Sequence, residues 1–508
     1  MKRTLSGGSQ IKWGAVLSYI AIFANIIAML LYTPWMKNQI GVENYGLYTL
    51  ALSCISLFMM DFGIGAATTR FVAKYRAEGN EKAVNDLLGL VYKLYLLIDI
   101  IICVALLVIF FFLESIYAGL TSEELMRFKQ LYVIVSVFSL FSFPFAPLSG
   151  VLNAYEKYVP LKLCDMANKF LGILLVVCVL LCGLGLRALV LANSLAGIVT
   201  ICAKWYFVRR ITPTKPNWKV HDTALVKAVA GFSIWSFING LAQRLIYNIA
   251  PSILAAVTTS YQIALYSPAS AIAGYFFSVA SAINGMFLPV ISRKIAAHKE
   301  DDILPLMITV GRFQVVVLGL LYVGFWTIGK EFMILWMGEE FAPSYYCVLL
   351  LAFPTIFEYS QQIAGTTLVA KGKVHISALC LLGSGAVNLL ISPWLSAAYG
   401  VYGVSIAIVV VAMLNLAVMN VFYHKVLHIP MFRFYKECYL PILIPLVAGI
   451  VLSGLTASAI PVGGWTGMTI KGIAATMWFL LLVWLFHLRK EERTRVLMFL
   501  RKRGRKGG

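Results

Sequence analysis

Long apolar runs alternate with short polar segments along the whole chain. An α-helix needs about 20 predominantly apolar residues to cross a hydrocarbon core ~30 Å thick. Fourteen runs meet this requirement, at residues 13–35, 45–69, 87–113, 129–150, 161–184, 187–208, 227–254, 261–291, 304–328, 343–369, 374–398, 402–423, 437–458 and 466–488. The pattern therefore predicts an all-α polytopic membrane protein with about 14 transmembrane helices.

The composition agrees with this pattern and argues against most soluble classes of protein. Only 13% of the 508 residues are charged, whereas a soluble domain carries about 25% charged residues. The net charge of +20 could indicate binding to nucleic acid, but the chain has no soluble domain that would present a basic surface. We attribute it to membrane topology and to attraction of anionic membrane lipids. The nine cysteines lack metal-ligand spacing with histidine, so we expect no disulfide framework, no metal site and no cofactor.

Basic residues are distributed unequally between the two sides that these runs define. If each run crosses the membrane once, 32 of the 42 Lys and Arg residues fall on one side. The other side has Lys37, Arg127, Lys129, Arg187, Lys330 and Lys471. Because short loops rich in Lys and Arg stay in the cytoplasm, both termini are predicted to be cytoplasmic, with a basic tail at 489–508. The first run is too long for the core of a signal peptide, and we expect it to be retained.

The loops on the side poor in basic residues are short. The longest, near Glu114–Arg127, has about a dozen residues. A membrane enzyme that polymerises or ligates glycans usually needs a larger loop or domain to build its site. The chain also lacks the GxxxxGK[ST] motif that binds nucleotide phosphates in ATPases. These absences favour a secondary-type transporter over an enzyme.

The second half of the chain repeats features of the first at an offset of about 218 residues. Leu47–Tyr48 then aligns with Leu265–Tyr266, and each pair opens a long run that ends in basic residues. Chance similarity between apolar segments is the alternative explanation. A duplication, which is common in transporters, predicts an N-terminal lobe at 1–210, a C-terminal lobe at 211–430 and two additional spans at 431–488.

Several short segments together carry a family resemblance. They are Gly46–Ala51, Asp61–Gly65, Ala264–Ala269, Leu288–Arg293, Gly329–Phe341, Leu368–Lys373 and Tyr399–Val404. In order and spacing they resemble bacterial polysaccharide transporters of the lipid-linked oligosaccharide flippase type, such as O-antigen flippases. These belong to the multidrug/oligosaccharidyl-lipid/polysaccharide exporter superfamily. The resemblance implies two six-helix lobes in a V around a central cavity, with two further C-terminal helices here.

The resemblance also implies a function. A flippase of this type translocates an undecaprenyl-diphosphate-linked oligosaccharide from the inner to the outer leaflet of the bacterial cytoplasmic (inner) membrane by alternating access. Such transport serves the assembly of surface polysaccharides such as O-antigen or exopolysaccharide. The implied partners are the lipid-linked glycan, anionic membrane lipids and, as an option, other polysaccharide-assembly proteins; we expect a monomer. The alternatives are a multidrug/toxin antiporter of the same superfamily and a membrane enzyme of glycan polymerisation or ligation.

One charged residue stands out against the topology pattern. Arg244 lies about 26 Å along predicted span seven, at 1.5 Å per residue. An arginine at mid-bilayer costs about 2.5–3.5 kcal/mol on insertion scales. Asn239, Gln243 and Asn248 share its helix face, mostly at three- and four-residue steps. We therefore expect this face to line a cavity and to bind the diphosphate or an acidic sugar.

Two carboxylates near the middle of spans are candidates for ion coupling. Asp99 lies in predicted span three and Glu358 in predicted span ten. Buried carboxylates in membrane helices are suited to proton coupling. Alternatively, each is neutral and hydrogen-bonded, or forms a structural ion pair with an arginine such as Arg244.

Three further charged residues lie closer to the predicted cytoplasmic boundary. We expect predicted span two to be one long helix. Asp61 lies in it beside Gly63 and Gly65, which permit close helix approach. We assign Asp61 and Arg70 to an inner gate. Arg312 either anchors its helix by reaching the interface or joins a basic funnel that attracts the diphosphate. In the second interpretation it belongs with the substrate-binding residues.

Overall fold

The described part of the chain is helical. The computed structural model describes residues 25–58, 60, 62–284, 287–489 and 492–494. In these residues the regular structure consists of helices, without a β-strand. The prediction of an all-α protein is confirmed.

The first part of the described chain forms eight α-helices. They are α1 (25–40), α2 (Val42–Phe58), α3 (Ile64–Ala77), α4 (Glu81–Ile116), α5 (Ser122–Ser142), α6 (Pro147–Ala154), α7 (Tyr158–Leu181) and α8 (Gly185–Ile211). Local caps explain where two of them begin. The Asn80 side chain accepts a hydrogen bond from the backbone of Ala83 at the start of α4. Thr121 and Glu124 form a capping box at the start of α5.

The second part of the chain repeats this order of helices and then extends it. Its helices are α9 (Thr223–Gln243), α10 (Ala250–Val257), α11 (Ser260–Asn284), α12 (Leu288–Ala296), α13 (Ile303–Met337), α14 (Ser344–Ser360), α15 (Gln362–Ala370), α16 (Val374–Tyr399), α17 (Val401–Leu427), α18 (Met431–Cys438), α19 (Leu440–Ala459) and α20 (Gly464–Leu482). In both parts a broken helix (α2–α3, α11–α12) precedes a long one (α4, α13) and a second broken one (α5–α6, α14–α15). This recurrence supports the duplication.

Twelve stretches of the described residues are long and apolar enough to cross a membrane. Together with the helical fold, they agree with the prediction of a polytopic membrane protein. The predicted span 13–35 begins outside the described residues, and the predicted span 45–69 corresponds to two shorter helices. The total of fourteen spans therefore stays a prediction.

The second predicted span is not one continuous helix, and that prediction was wrong. α2 ends at Phe58 and α3 begins at Ile64. Between them, Phe62 and Gly63 have positive φ angles of 50° and 73°. A Cβ at Gly63 would lie 2.5 Å from the carbonyl oxygen of Ser233 in α9. Glycine therefore serves both the left-handed turn and the close approach of the two backbones.

The chain divides into two compact units. The first comprises Met1–Ser267 with Leu381–Val404, and the second comprises Pro268–Cys380 with Ser405–Gly508. In the first unit, α7 packs along α8, and α3 packs against α4, α6 and α9. In the second unit, α13 packs along α14 and against α19 and α20.

The two C-terminal helices of the second unit pack through one fully buried aromatic ring. Phe479 of α20 has no exposed surface. A Cβ at Gly319 of α13 would lie 3.0 Å from its ring, and one at Gly449 of α19 would lie 3.3 Å away. Because small residues let membrane helices approach closely, these glycines allow α13 and α19 to pack on both sides of the ring.

Candidate functional site

The loop between α8 and α9, residues 212–222 and called the strap below, lies against α4. The Asn217 N–H donates to the Asn85 carbonyl at 2.9 Å, and the Asn217 side-chain amide donates to the Asp86 carboxylate at 2.6 Å. A Cβ at Gly89 would lie 1.8 Å from the Asn217 carbonyl oxygen. Only glycine at this position of α4 leaves room for the strap.

Further contacts hold the end of the strap from which α9 starts. The Lys93 ammonium donates to the Val220 carbonyl at 2.8 Å, and the ring of Trp218 stacks on Tyr92 at 6.0 Å. The Asp222 carboxylate then accepts two backbone hydrogen bonds, at 2.9 and 3.0 Å, from the first turn of α9. The strap and this cap together determine where α9 begins.

The hydrogen-bond register of this span changes at Arg244, where α9 gives way to a π turn. Residues Arg244–Asn248 form one π-helical turn, in which the Ile249 N–H donates to the Arg244 carbonyl at 2.9 Å. Pro251 explains the change, because it has no N–H and its ring crowds the carbonyl four residues earlier. Single π turns inside α-helices occur frequently at functional sites.

The π turn brings Arg244 and Asn248 to the same hydroxyl group. The Arg244 guanidinium donates to Ser56 Oγ at 3.3 Å, and the Asn248 amide donates to the same atom at 3.0 Å. All three side chains are partly buried. We call them the Arg244 cluster. Guanidinium and amide N–H groups are suited to bind phosphate or carboxylate oxygens.

Asn388 of α16 supports the π turn. Its amide donates to the carbonyls of Leu245 at 2.9 Å and Ile246 at 3.4 Å. Ser392 donates in turn to Asn388 Oδ1 at 2.7 Å. Backbone groups inside a membrane must find partners within the protein, and Asn388 supplies them here. Asn388 was not predicted from the sequence, although Ser384, Asn388 and Ser392 recur at four-residue steps along one helix face.

The other predicted substrate residues of α9 have separate surroundings. The Asn239 amide donates to the Trp235 carbonyl of its own helix at 3.0 Å. The Gln243 side chain, which precedes the π turn, is exposed. Closer to the start of α9, Ser233 donates to the Gly63 carbonyl at 3.2 Å. The polar face thus begins against the α2–α3 break and ends at the Arg244 cluster.

The predicted gate residues can be followed only in part. Asp61 lies outside the described residues. The Arg70 guanidinium of α3 lies 4.8 Å from the centroid of the Phe232 ring of α9, a cation–π contact. Phe62 stacks on Phe237 of α9 at 5.0 Å. The segment around the α2–α3 break therefore contacts the helix that leads to Arg244.

The two predicted coupling carboxylates lie in different units. Asp99 is on α4 of the first unit, and its Oδ1 is buried without a hydrogen-bond partner in the part of the chain that the structure describes. Glu358 is partly buried on α14 of the second unit, two residues before this helix ends at Ser360.

Arg312 of α13 makes structural contacts in the second unit. Its side chain is 5% exposed. One terminal nitrogen donates to the Glu437 carbonyl at 3.1 Å. The other donates to the His487 carbonyl and pairs with Glu492 at 3.0 Å. Because both terminal nitrogens are occupied, we leave Arg312 out of the substrate site proposed below.

The Glu492 carboxylate completes this network. It also accepts a hydrogen bond from the Arg489 N–H at 2.8 Å. Burial raises the pKa of Glu492, but the hydrogen bonds from Arg489 and Arg312 outweigh burial, so this pKa lies below the usual range for glutamate.

Sequence comparison supplies the family of the chain. The family described as polysaccharide biosynthesis protein matches residues 12–295. The chain belongs to this family. A search of curated proteins finds no match.

The fold matches solved structures of membrane transporters over most of the chain. The lipid II flippase MurJ, in an inward closed conformation, has a TM-score of 0.69 at 11% identity, covering 94% of this chain and 98% of that one. An inward-facing multidrug resistance transporter of the MATE family has a TM-score of 0.61 at 13% identity, with coverages of 80% and 98%. A MOP superfamily transporter from Pyrococcus furiosus reaches 0.58 at 14% identity, with coverages of 84% and 99%.

At these identities the likeness concerns the fold alone. It is the fold of the MOP superfamily, so the resemblance stated from the sequence motifs is confirmed. The protein is therefore a multi-pass membrane protein, and its fold is that of the matched flippase and transporter structures.

Proposed function

We propose that the protein translocates an undecaprenyl-diphosphate-linked oligosaccharide from the inner to the outer leaflet of a bacterial cytoplasmic membrane. The transport serves the assembly of a surface polysaccharide. Membership of the polysaccharide biosynthesis family and the flippase fold support a lipid-linked substrate. The observation that carries the proposal is the Arg244 cluster, in which a guanidinium and an amide from a segment long and apolar enough to cross a membrane donate to the same hydroxyl.

The cluster offers the diphosphate a set of hydrogen-bond donors. Arg244 stays charged under all physiological conditions and can bind two phosphate oxygens at once. Ser56 Oγ accepts hydrogen bonds from both Arg244 and Asn248, so its own O–H can donate to a third oxygen. A diphosphate bound here neutralises the arginine charge, and this attraction is stronger in a membrane protein than in water.

Neighbouring residues extend this site toward the glycan. Gln243 is exposed one residue before the π turn, and Asn239 lies one helical turn earlier on the same face. Amide groups hydrogen-bond sugar hydroxyls as donor and acceptor. In this proposal the polyprenyl chain remains in lipid while the polar headgroup follows the α9 face.

The remaining predicted residues take part in coupling and gating. Asp99 and Glu358, one in each unit, are the proposed sites of ion coupling. Asp61 and Arg70 form the proposed inner gate. The predicted lobes at 1–210 and 211–430 alternate between inward-open and outward-open arrangements, while the spans at 431–488 extend the second lobe.

The test is complementation by Arg244 variants in a strain that lacks the gene. Arg244→Ala should reduce translocation at least tenfold, because a charge-assisted hydrogen bond contributes about 1.5–3 kcal/mol. Arg244→Lys should retain part of the activity, since it keeps the charge but loses the bidentate geometry. Lipid-linked glycan trapped in the inner leaflet is measured at equal protein levels.

The matched control is Arg187→Ala, which removes an exposed arginine at the start of α8. It should leave translocation unchanged. Full activity of Arg244→Ala would remove the substrate role of this residue. Drug resistance conferred by the wild-type chain, without trapped glycan in its absence, would instead favour a multidrug/toxin antiporter.

The orientation that this proposal requires is also open to test. Both termini are proposed to be cytoplasmic in the bacterial inner membrane. A reporter active only outside the cytoplasm should work when fused after Gly119, and should stay inactive when fused in the strap after Lys219. The reverse pattern would overturn the orientation.

A further inference from the structure

A cavity of about 620 Å³ opens between α13 and α14 in the second unit. Its lining is mainly aromatic and aliphatic, with one basic residue. The lining residues are Tyr322, Trp326, Lys330, Tyr345, Tyr346, Leu349, Leu350 and Phe353. Ligand sites in proteins commonly enclose about 300–1,000 Å³ and combine apolar walls with a few polar groups.

The lining residues follow one face of each helix. Tyr322, Trp326 and Lys330 recur at four-residue steps on α13, so their side chains lie one above another. The lining residues of α14 recur at three- and four-residue steps from Tyr346 to Phe353. The cavity is therefore a slot parallel to the helix axes. It extends about 12 Å from Lys330 to Tyr322, at 1.5 Å per residue.

Contacts within the protein hold the walls of the slot in place. The Tyr345 hydroxyl donates to the Trp326 carbonyl at 2.8 Å. The Tyr345 ring stacks on Phe325 at 5.9 Å, and Tyr322 packs against Phe353 at 6.3 Å. The slot is thus formed before any ligand enters, which lowers the entropic cost of binding.

The charge in the slot is positive. Lys330 is exposed, and no acidic residue lines the cavity. The nearest acid in sequence, Glu331, pairs with Lys471 at 2.8 Å. Lys330 lies seven residues before α13 ends at Met337, which is about 10 Å along the helix. A lysine stem of this kind can carry its ammonium to the headgroup region of a bilayer.

We propose that this slot is a binding site for an anionic phospholipid of the leaflet in which α13 ends. The Lys330 ammonium binds the phosphate. One acyl chain runs along Trp326, Tyr322 and Phe353. A slot of about 12 Å is less than half of a ~30 Å hydrocarbon core, so it holds the upper part of one acyl chain. The site is separate from the Arg244 cluster, which belongs to the first unit.

Trp326 reports directly on occupancy of the slot. Phospholipids brominated in the upper acyl chain quench tryptophan fluorescence on contact. The chain has eleven tryptophans, so the fluorescence of Trp326 is obtained by subtracting the signal of Trp326→Phe from that of the wild type. The purified full chain is titrated with brominated phosphatidylglycerol or brominated phosphatidylcholine. Quenching of Trp326 should need about fivefold less of the anionic lipid, since a lysine near the surface contributes about 1 kcal/mol.

Two variants separate a specific site from general surface charge. Lys330→Gln should abolish the preference for phosphatidylglycerol. Arg187→Gln, which removes an exposed basic residue on the same predicted side of the membrane, should keep it. Equal quenching by the two lipids in wild type, or loss of the preference in Arg187→Gln, would overturn the proposal. Displacement of brominated phosphatidylglycerol by a smaller amount of undecaprenyl phosphate would assign the slot to the carrier lipid and also overturn it.

Discussion

At the scale of single residues, Arg244 is a charged residue in a segment apolar enough to cross a membrane, and its neighbours show how the chain accommodates it. Ser56 accepts a hydrogen bond from the guanidinium, and Asn248 donates to the same hydroxyl. Asn388 pairs two carbonyls of the π turn. Insertion of an arginine at mid-bilayer costs about 2.5–3.5 kcal/mol, so these polar partners offset part of that cost.

The support that Asn388 gives to the π turn can be tested by substitution. Asn388→Leu keeps a similar volume but removes the donors to Leu245 and Ile246. We expect the free energy of unfolding to fall by about 1–2 kcal/mol, because two carbonyls lose their partner. Thermal unfolding in detergent should show a lower melting temperature, and complementation should weaken because Arg244 is displaced.

The control for this variant lies on the same helix. Leu390 of α16 is 70% exposed, so Leu390→Ala should change the melting temperature little. If Asn388→Leu unfolds at the temperature of the wild type, the π turn does not depend on this side chain.

At the scale of helices and loops, the strap connects two helices of the first unit that carry proposed functional residues. It lies on α4, which carries Asp99, and it leads directly into α9, which carries the polar face. Lys93 binds the strap backbone six residues before Asp99. A displacement of α4 along its axis therefore acts on the start of α9 through these hydrogen bonds.

Gly89→Ala tests the docking of the strap. The new Cβ would lie 1.8 Å from the Asn217 carbonyl oxygen, so the strap backbone must move away from α4. Overpacking of this kind typically costs about 1–3 kcal/mol. We expect faster trypsin cleavage at Lys219 in the purified protein, followed by mass spectrometry.

The matched control is Gly231→Ala in α9, where a Cβ would meet no atom within 4 Å. It should leave cleavage at Lys219 unchanged. Equal cleavage rates for Gly89→Ala and wild type would mean that the strap does not need this close approach.

At the scale of the whole molecule, an ionic network around the buried Arg312 side chain links helices of the second unit to residues that follow α20. Arg312 reaches from α13 to the carbonyls of Glu437 and His487. Arg489 pairs with the Glu437 carboxylate at 2.8 Å, and Glu492 pairs with Arg312. Removal of the partner of the buried Arg312 leaves an uncompensated charge, so the network fixes how His487, Arg489 and Glu492 meet α13 and α18.

This network predicts a dependence of stability on pH. The folded-state pKa of Glu492 is lowered, so its stabilising effect is complete above the usual glutamate pKa of about 4.3. The effect is lost as the pH falls through the lower folded-state pKa. The melting-temperature difference between wild type and Glu492→Gln should therefore be constant above about pH 5 and shrink below about pH 4.

Glu78→Gln is the control for this measurement. The Glu78 side chain is 50% exposed and lies 3.9 Å from Lys74, a surface pair of little energetic value. It should show no comparable change with pH. A difference between wild type and Glu492→Gln that stays constant down to pH 3 would contradict the role of the ionised carboxylate.

The sequence by itself determined the class of fold. A continuous run of about 20 apolar residues satisfies its backbone in a bilayer by forming a helix, and the number of such runs made a polytopic membrane protein predictable. The order of short motifs was enough to indicate the polysaccharide family and its fold. The polar face of α9 was also visible, since helical periodicity is a local property.

Only the tertiary structure decided how these residues are used. The break at Phe58–Ile64 depends on how closely Gly63 approaches Ser233, a residue remote in sequence. Ser56 and Asn388 joined the candidate site through contacts across the fold. Arg312 is also a basic residue in an apolar run, but it forms an ion pair with Glu492. Hydropathy reflects the free-energy cost of burying a residue. The partners of that residue depend on which helices the fold brings together.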